Sequence, residues 1–137
     1  MSEELRVEQH VLRVDPEDVI TVSWSGYIAG EHAKEIYTQM RRIARGKEPV
    51  FYVVDISRAI TTDAEGRRLT ADLLDIPGLR GIALVGASFH VRVIAMLTIK
   101  LIVAFGKLRN CPIVFFPNLE KAHVWIDERR KALTAAP

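Results

Sequence analysis

Apolar and polar residues follow two different periods along the chain, and the changes of period predict the order of its elements. Two segments alternate between apolar and polar side chains, as half-buried strands do: 6–14 and 19–25. Three continuous apolar runs are typical of strands buried on both faces: 50–55, 81–86 and 112–116. Four segments carry apolar residues at helical spacing: 30–45, 63–74, 88–107 and 119–133.

Strands that alternate with helices predict an α/β domain with a mixed, mostly parallel sheet. We expect about five strands and four helices, and the first two strands are antiparallel because only a short turn joins them. The length of 137 residues and the apolar fraction of 49% suit a single packed core, so the whole chain, 1–137, is assigned to one domain.

Net charge and cysteine content exclude several classes of function. The formal net charge is only +2, with 19 basic and 17 acidic residues, whereas a dedicated nucleic-acid binder concentrates a large basic excess on one face. The lone Cys111 rules out an internal disulfide and a cysteine-rich zinc site, and it fits a reducing compartment. The acidic start M-S-E-E-L-R is not a signal peptide. We therefore expect a cytoplasmic protein that does not bind nucleic acid.

The longest apolar stretch is predicted to be a helix of a soluble protein. Residues 89–105 are interrupted by Arg92 and Lys100, and the stretch is too short and too charged for a membrane span. We expect this helix to be largely buried.

This helix nevertheless has more apolar residues than a helix on a sheet needs. At about 100° per residue, six residues share or border one stripe: Arg92, Met96, Ile99, Lys100, Val103 and Lys107. We interpret the stripe as the self-association surface of a homodimer, because an exposed apolar patch usually marks a contact. Two alternatives stay open. One is a deeply buried core helix, and the other is peripheral contact with anionic lipid, which suits a mixture of basic and apolar residues.

A polar segment, D-I-S-R-A-I-T-T-D-A-E-G at 55–66, follows the third predicted strand. Thr62 and Glu65 have the spacing of a capping box, in which the threonine accepts from a backbone N–H and the glutamate reaches back. Asp63 in the first turn would complement the helix dipole. A helix start alone therefore explains these residues, and a partner surface can coincide with it.

The order of elements, taken with this segment, resembles the STAS domain, the fold of bacterial anti-sigma factor antagonists and of the cytoplasmic tails of sulfate transporters. Those antagonists carry an acidic or amide residue at a strand end and, eight residues later, an Asp-Ser-Ser-Gly or Asp-Ser-Thr-Gly motif with a phosphorylated serine. Here Asp55, Asp63 and Gly66 match this pattern. Ala64 and Glu65 replace the hydroxyl residues, so the resemblance implies that the phosphoacceptor is missing and that Glu65 places a fixed negative charge there.

The chain is more similar to the SpoIIAA-like, or STAS/Sec14-like, branch of small stand-alone proteins. The matching motifs are Trp24-Ser25-Gly26, Val53-Val54-Asp55, Ala83-Leu84-Val85-Gly86, and Phe116 to Trp125 with Glu120 and Ala122. The resemblance implies a non-catalytic regulatory module that binds protein partners. The residues that it implies for the partner face are Asp55, Ser57, Thr61, Thr62, Asp63 and Glu65. Phosphorylation of Ser57, Thr61 or Thr62 stays an alternative.

The runner-up function is a domain that binds a small apolar ligand or a lipid, and it predicts an apolar pocket between the long helix and the sheet. An enzyme would draw on Asp55 at a strand end and on His90. However, the chain has no H-E-x-x-H, G-x-S-x-G or P-loop motif, and Ser88 and His90 are explained as the cap and first turn of a helix. We therefore predict no catalytic activity and no cofactor. No metal is expected either, because no histidine pair has ligand spacing.

Overall fold

The computed structural model describes residues 3–106 and 108–135. In chain order the elements are β1 (Glu3–Val7), β2 (His10–Asp15), β3 (Val19–Ile28), α1 (Gly30–Ala44), β4 (Val50–Thr62), α2 (Ala64–Leu73), β5 (Leu79–Val85), α3 (Phe89–Phe105), β6 (Ile113–Phe116) and α4 (Leu119–Ala135).

The strands form one sheet in the order β1-β2-β3-β4-β5-β6. β1, β2 and β3 are antiparallel neighbours, whereas β3 to β6 run parallel. The predicted α/β class, with its mixed and mostly parallel sheet, is confirmed.

The described residues contain six strands, one more than expected, because the segment 6–14 is not one strand. It contributes to a hairpin of β1 and β2 that turns at Glu8 and Gln9. Glu8 has a φ of 54°, a left-handed conformation that is usually assigned to Gly, Asn or Asp. A glutamate at that position carries no turn signal, so the pattern missed the hairpin.

β4 is longer than its apolar run. The strand was predicted to end at Asp55, but it continues to Thr62. Its second half pairs with the end of β3 through two register shifts, whereas β5 ends opposite Asp55. Residues 25–28 and 58–62 therefore form a two-stranded projection beyond β5, which we call the β3–β4 extension. The segment predicted as a loop from Ser57 onward is a strand as far as Thr62.

Helices cover the sheet on both faces. α1, α2 and α3 pack on one face over the larger core, which includes Trp24, Met40 and Leu84. α4 packs on the other face over a smaller core that includes Phe51 and Ile126. This alternation follows from the period of two along each strand.

Two arginines attach α4 to the sheet near the amino ends of its strands. Arg129 donates to the carbonyl oxygens of Arg80 (2.9 Å) and Asn110 (2.8 Å). Arg130 donates to the carbonyl oxygen of Glu17 at 2.6 Å, across 113 residues of sequence. These bonds tie the helix to three separate segments of the chain.

Candidate functional site

Asp55 organises the point where β4 leaves the sheet. Its Oδ1 accepts from the backbone N–H (3.1 Å) and the hydroxyl (2.7 Å) of Ser57, and its Oδ2 accepts from the hydroxyl of Ser23 at 3.5 Å. Gly86, with a φ of 75°, lies directly against this turn, since a Cβ atom there would be 2.8 Å from the Ser57 Cβ. The carboxylate of Asp55 therefore stabilises the irregular backbone of β4. The Ser57 hydroxyl is already engaged in a hydrogen bond with this carboxylate.

Asp63 is the N-cap of α2. Its Oδ1 accepts from the backbone N–H of Gly66 at 2.7 Å, and its Oδ2 accepts from the Tyr27 hydroxyl at 2.8 Å. The bond from Gly66, followed by the bond from Tyr27, lowers the pKa of Asp63. The same carboxylate raises the pKa of the Tyr27 hydroxyl. Asp63 therefore joins the start of α2 to the β3–β4 extension.

The predicted capping box is wrong, because Asp63 takes the position assigned to Thr62. The hydroxyl of Thr62 instead donates to the carbonyl oxygen of Ile28 at 2.8 Å, within the β3–β4 extension. It also fills the space above Gly66, where a side chain would clash with it. An Asp-x-x-Gly reading of the segment would have found the cap.

Glu65 lies beside the start of another helix. A Cβ atom on Gly30, the first residue of α1, would be 3.2 Å from the Glu65 carboxyl carbon. The exposed carboxylate thus stands in the first turn of α2 and next to the amino end of α1, where helix dipoles favour negative charge.

The structure separates the six residues predicted for the partner face. Ser57, Asp63 and Glu65 are exposed, whereas Asp55, Thr61 and Thr62 are half-buried. Thr61 and Thr62 line a cavity beneath α3. The exposed part of this surface is therefore the α2 start and the turn at Ser57, with Ile60 of the extension, 64% exposed, between them.

The long helix is less buried than predicted. Within α3 only Val91 and Ile102 are buried, so the expectation of a largely buried helix is wrong. Of the stripe residues, Arg92, Met96, Lys100 and Val103 are exposed and Ile99 is half-buried, while Lys107 lies outside the described residues. Sequence reasoning missed the most exposed apolar side chain, Phe89 at 85%. Among the described residues, no helix is long and apolar enough to cross a membrane.

The outer surface of α3 carries several exposed apolar side chains: Phe89, Val93, Met96, Leu97, Val103 and Phe105. Arg92 adds a cation on the flank toward the sheet edge, where its guanidinium lies 4.2 Å from the ring centre of Phe115 in β6. Residues 96, 99 and 103 follow Arg92 at helical spacing, so the predicted stripe lies on this flank.

An apolar cavity of about 110 Å³ lies between α3, α2 and the sheet. Its apolar walls include Trp24, Leu84, Ile94, Ile99 and Ile102. This is the location that the ligand-binding alternative predicts.

Buried hydroxyls give this cavity one polar wall. The Tyr37 and Tyr52 hydroxyls are 3.2 Å apart, and Trp24 donates to Tyr52 through its indole N–H at 3.1 Å. Burial raises the pKa of both tyrosines, so they stay neutral. The wall offers hydroxyl groups and no charge.

A pair of histidines, His10 buried and His32 half-buried, was missed by sequence reasoning. His10 is fully buried between Trp24 and His32, with ring centres 5.0 and 5.7 Å away, and its Nδ1 accepts from the backbone N–H of Ser25 at 3.1 Å. Burial, and then the neighbouring His32, lowers the pKa of His10 to about 4. Among the described residues, no partner reaches Nε2 of His10 or Nδ1 of His32.

The predicted enzyme residues have structural explanations. Ser88 caps α3, since its side chain accepts from the backbone N–H of Val91 at 3.3 Å, and His90 lies in the first turn. In the part of the chain that the structure describes, no group of three His, Cys, Asp or Glu residues could hold a metal ion.

A mixed sheet with three helices on one face and one on the other, and with Asp55 and the α2 start at its carboxyl end, is the SpoIIAA-like fold of STAS domains. The anti-sigma factor antagonist SpoIIAA in its unphosphorylated form superimposes with a TM-score of 0.57 at 14% identity, over 87% of this chain and 96% of that chain. A protein of the DUF3478 family from Shewanella loihica PV-4, with a SpoIIAA-like fold, gives a TM-score of 0.55 at 12% identity, over 91% of both chains. No family model and no curated protein matches the chain by sequence. At these identities the likeness defines the fold.

Proposed function

We propose that this protein is a non-catalytic, cytoplasmic regulatory module that acts by binding other proteins and by forming a homodimer. The observation that carries the proposal is the exposed apolar surface of α3, since monomeric proteins seldom leave such a patch uncovered. Val103 is 71% exposed and Phe89 is 85% exposed on that helix. The fold that the chain shares with an anti-sigma factor antagonist supports a role in regulation.

The partner face in this proposal is the exposed surface formed by Ser57, Ile60, Asp63 and Glu65. Asp63 and Tyr27 fix its shape through their 2.8 Å hydrogen bond. Glu65 supplies a permanent negative charge between two helix ends, so the module is held in one state. If the site descends from a phosphorylation switch, Glu65→Ser combined with the cognate kinase restores phosphorylation. A variant that stays unmodified would count against that history.

The homodimer is tested by the mass of the purified protein in light scattering. Met96→Glu and Val103→Glu together place two carboxylates on the exposed stripe, and we expect a folded monomer. Val124→Glu is the matched control, because Val124 is 54% exposed on α4, on the opposite face of the sheet. A dimer that survives the double substitution, or a wild type that is already monomeric, would remove α3 as the self-association surface.

Binding of a small apolar ligand or lipid is the second candidate, and the cavity beneath α3 favours it. A volume of about 110 Å³ suits a small apolar group, since an apolar cavity of roughly 150 Å³ holds benzene. Ala95 lines the cavity from α3, so Ala95→Phe should fill it. We expect benzene to raise the melting temperature of the wild type but not of this variant. Equal shifts of the melting temperature in both proteins would exclude the cavity as the binding site. Binding to anionic vesicles tests separately whether the ligand is a lipid.

A further inference from the structure

The outer edge of β6 has unpaired backbone groups. In the parallel ladder with β5, the backbone groups of Val114 and Phe116 point toward β5, as the 3.1 Å bond from the Gly86 N–H to the Phe116 carbonyl oxygen illustrates. The N–H and C=O groups of Ile113 and Phe115 therefore point away from the sheet. Among the described residues, none donates to or accepts from them. The edge thus presents two donors and two acceptors to an incoming strand.

The same edge lies in the part of the chain that lacks negative charge. No Asp or Glu occurs between Asp75 and Glu120, whereas this stretch contains five basic residues: Arg80, Arg92, Lys100, Lys107 and Arg109. Arg92 is exposed and stacks on Phe115 of the edge strand itself. Arg80 pairs with Glu48 at 2.9 Å, whereas Arg92 and Lys100 are exposed on α3. The cation that contacts the edge strand is Arg92.

We propose that the β6 edge binds an extended acidic segment of a partner protein, which adds a seventh strand to the sheet. The outward groups of Ile113 and Phe115 pair with the backbone of the segment, and a carboxylate of the segment meets Arg92. A second copy is a poorer occupant of this edge, because pairing two β6 strands would bring their Arg92 side chains together. This inference rests on the proposed interaction function and names the chemistry of one partner.

The strand is short and Pro112 precedes it, so the pairing is confined to Ile113 and Phe115. Few backbone bonds and exposed charges make a contact that forms and dissociates readily. Such a contact is suited to regulation by reversible binding.

The test is fluorescence anisotropy with a labelled peptide of about ten residues in which Glu and Val alternate. A peptide with Lys in place of Glu is the charge control. We expect only the acidic peptide to bind, and to bind more weakly as salt rises from about 50 to about 200 mM. Arg92→Glu should weaken binding by at least about tenfold. Lys34→Glu, a reversal at an exposed position of α1, should leave it unchanged.

Backbone methylation of the peptide tests strand pairing without altering the protein. In an extended segment, the N–H groups of alternate residues point to the same side. N-methylation of one alternate set should therefore abolish binding, while methylation of the other set is tolerated. If both sets are tolerated, the contact is ionic only and the inference is wrong.

Other outcomes separate this inference from the proposed function. Binding to anionic vesicles without binding to the peptide would overturn the inference in favour of a membrane surface. A dimer that excludes the peptide, and admits it when the uncharged substitutions Met96→Ser and Val103→Ser separate the subunits, would assign the edge to a second copy. A protein that dimerises through α3 and ignores the peptide in both states would refute only the edge inference.

Discussion

Acid should destabilise this protein through one buried side chain, His10. In the folded protein, burial and the nearby His32 lower the pKa of His10 from 6.5 to about 4, although Glu8 opposes this shift. The unfolded chain binds the proton more tightly, so stability is fully present above pH 6.5 and is lost as the pH falls toward 4. With these two values the loss at pH 4 is about 3 kcal/mol.

The measurement is urea denaturation at pH 7.5 and at pH 4, followed by circular dichroism. His10→Asn is the matched variant, because an asparagine oxygen can accept from the Ser25 N–H as Nδ1 does but does not titrate. Carboxylates titrate in both proteins, so the wild type should lose about 3 kcal/mol more than the variant over this interval. Equal losses, or an NMR titration of His10 with a midpoint near 6.5, would refute the reasoning.

Three further predictions concern the surroundings of the candidate site. Asp63→Ala should cost about 1 kcal/mol in thermal denaturation because α2 loses its cap. Asp63→Asn should cost less, because an asparagine oxygen can still accept from the Gly66 N–H, and equal melting temperatures of the two variants would contradict the cap. Gly86→Ala should cost about 1–3 kcal/mol, since the new Cβ strains a φ of 75° and meets the turn of β4. Gly46→Ala is its control, with a φ of 77° and open space, so the two costs should differ; similar melting temperatures would contradict the contact. Tyr52→Phe should cost about 1–3 kcal/mol because the Trp24 indole N–H loses its buried acceptor, and unchanged stability and tryptophan emission would argue against that bond.

The order of helices and parallel strands could be read from the sequence because it depends on where apolar side chains recur. The exposed apolar surface of α3 could be anticipated for the same reason, since this helix has more apolar residues than one sheet face can cover. Both depend on the periodicity of apolar residues, which can be recognised in a sequence without knowledge of tertiary contacts. The predicted SpoIIAA-like fold is consistent with this order.

The details of the site depended on contacts between distant residues. The second half of β4, R-A-I-T-T at 58–62, is a strand only because the end of β3 pairs with it, so an apolar run ending at Asp55 could not reveal it. Asp63, and not Thr62, caps α2 because the Thr62 hydroxyl is already hydrogen-bonded to the carbonyl oxygen of Ile28. The burial of His10 depends on Trp24 and on α1, neither of which is adjacent in sequence.

The attachment of α4 has a consequence for how the protein is made. Every strand precedes α4 in the chain, yet this helix is the cover that the structure places over Phe51, Val53 and Ala83. Its bond from Arg130 to Glu17 closes a loop of 113 residues, a contact that costs much chain entropy and forms late. During synthesis, the apolar face of the sheet that α4 covers therefore remains exposed to solvent until this helix docks. The nascent chain is most exposed to aggregation, and most in need of a chaperone, in the interval before α4 docks.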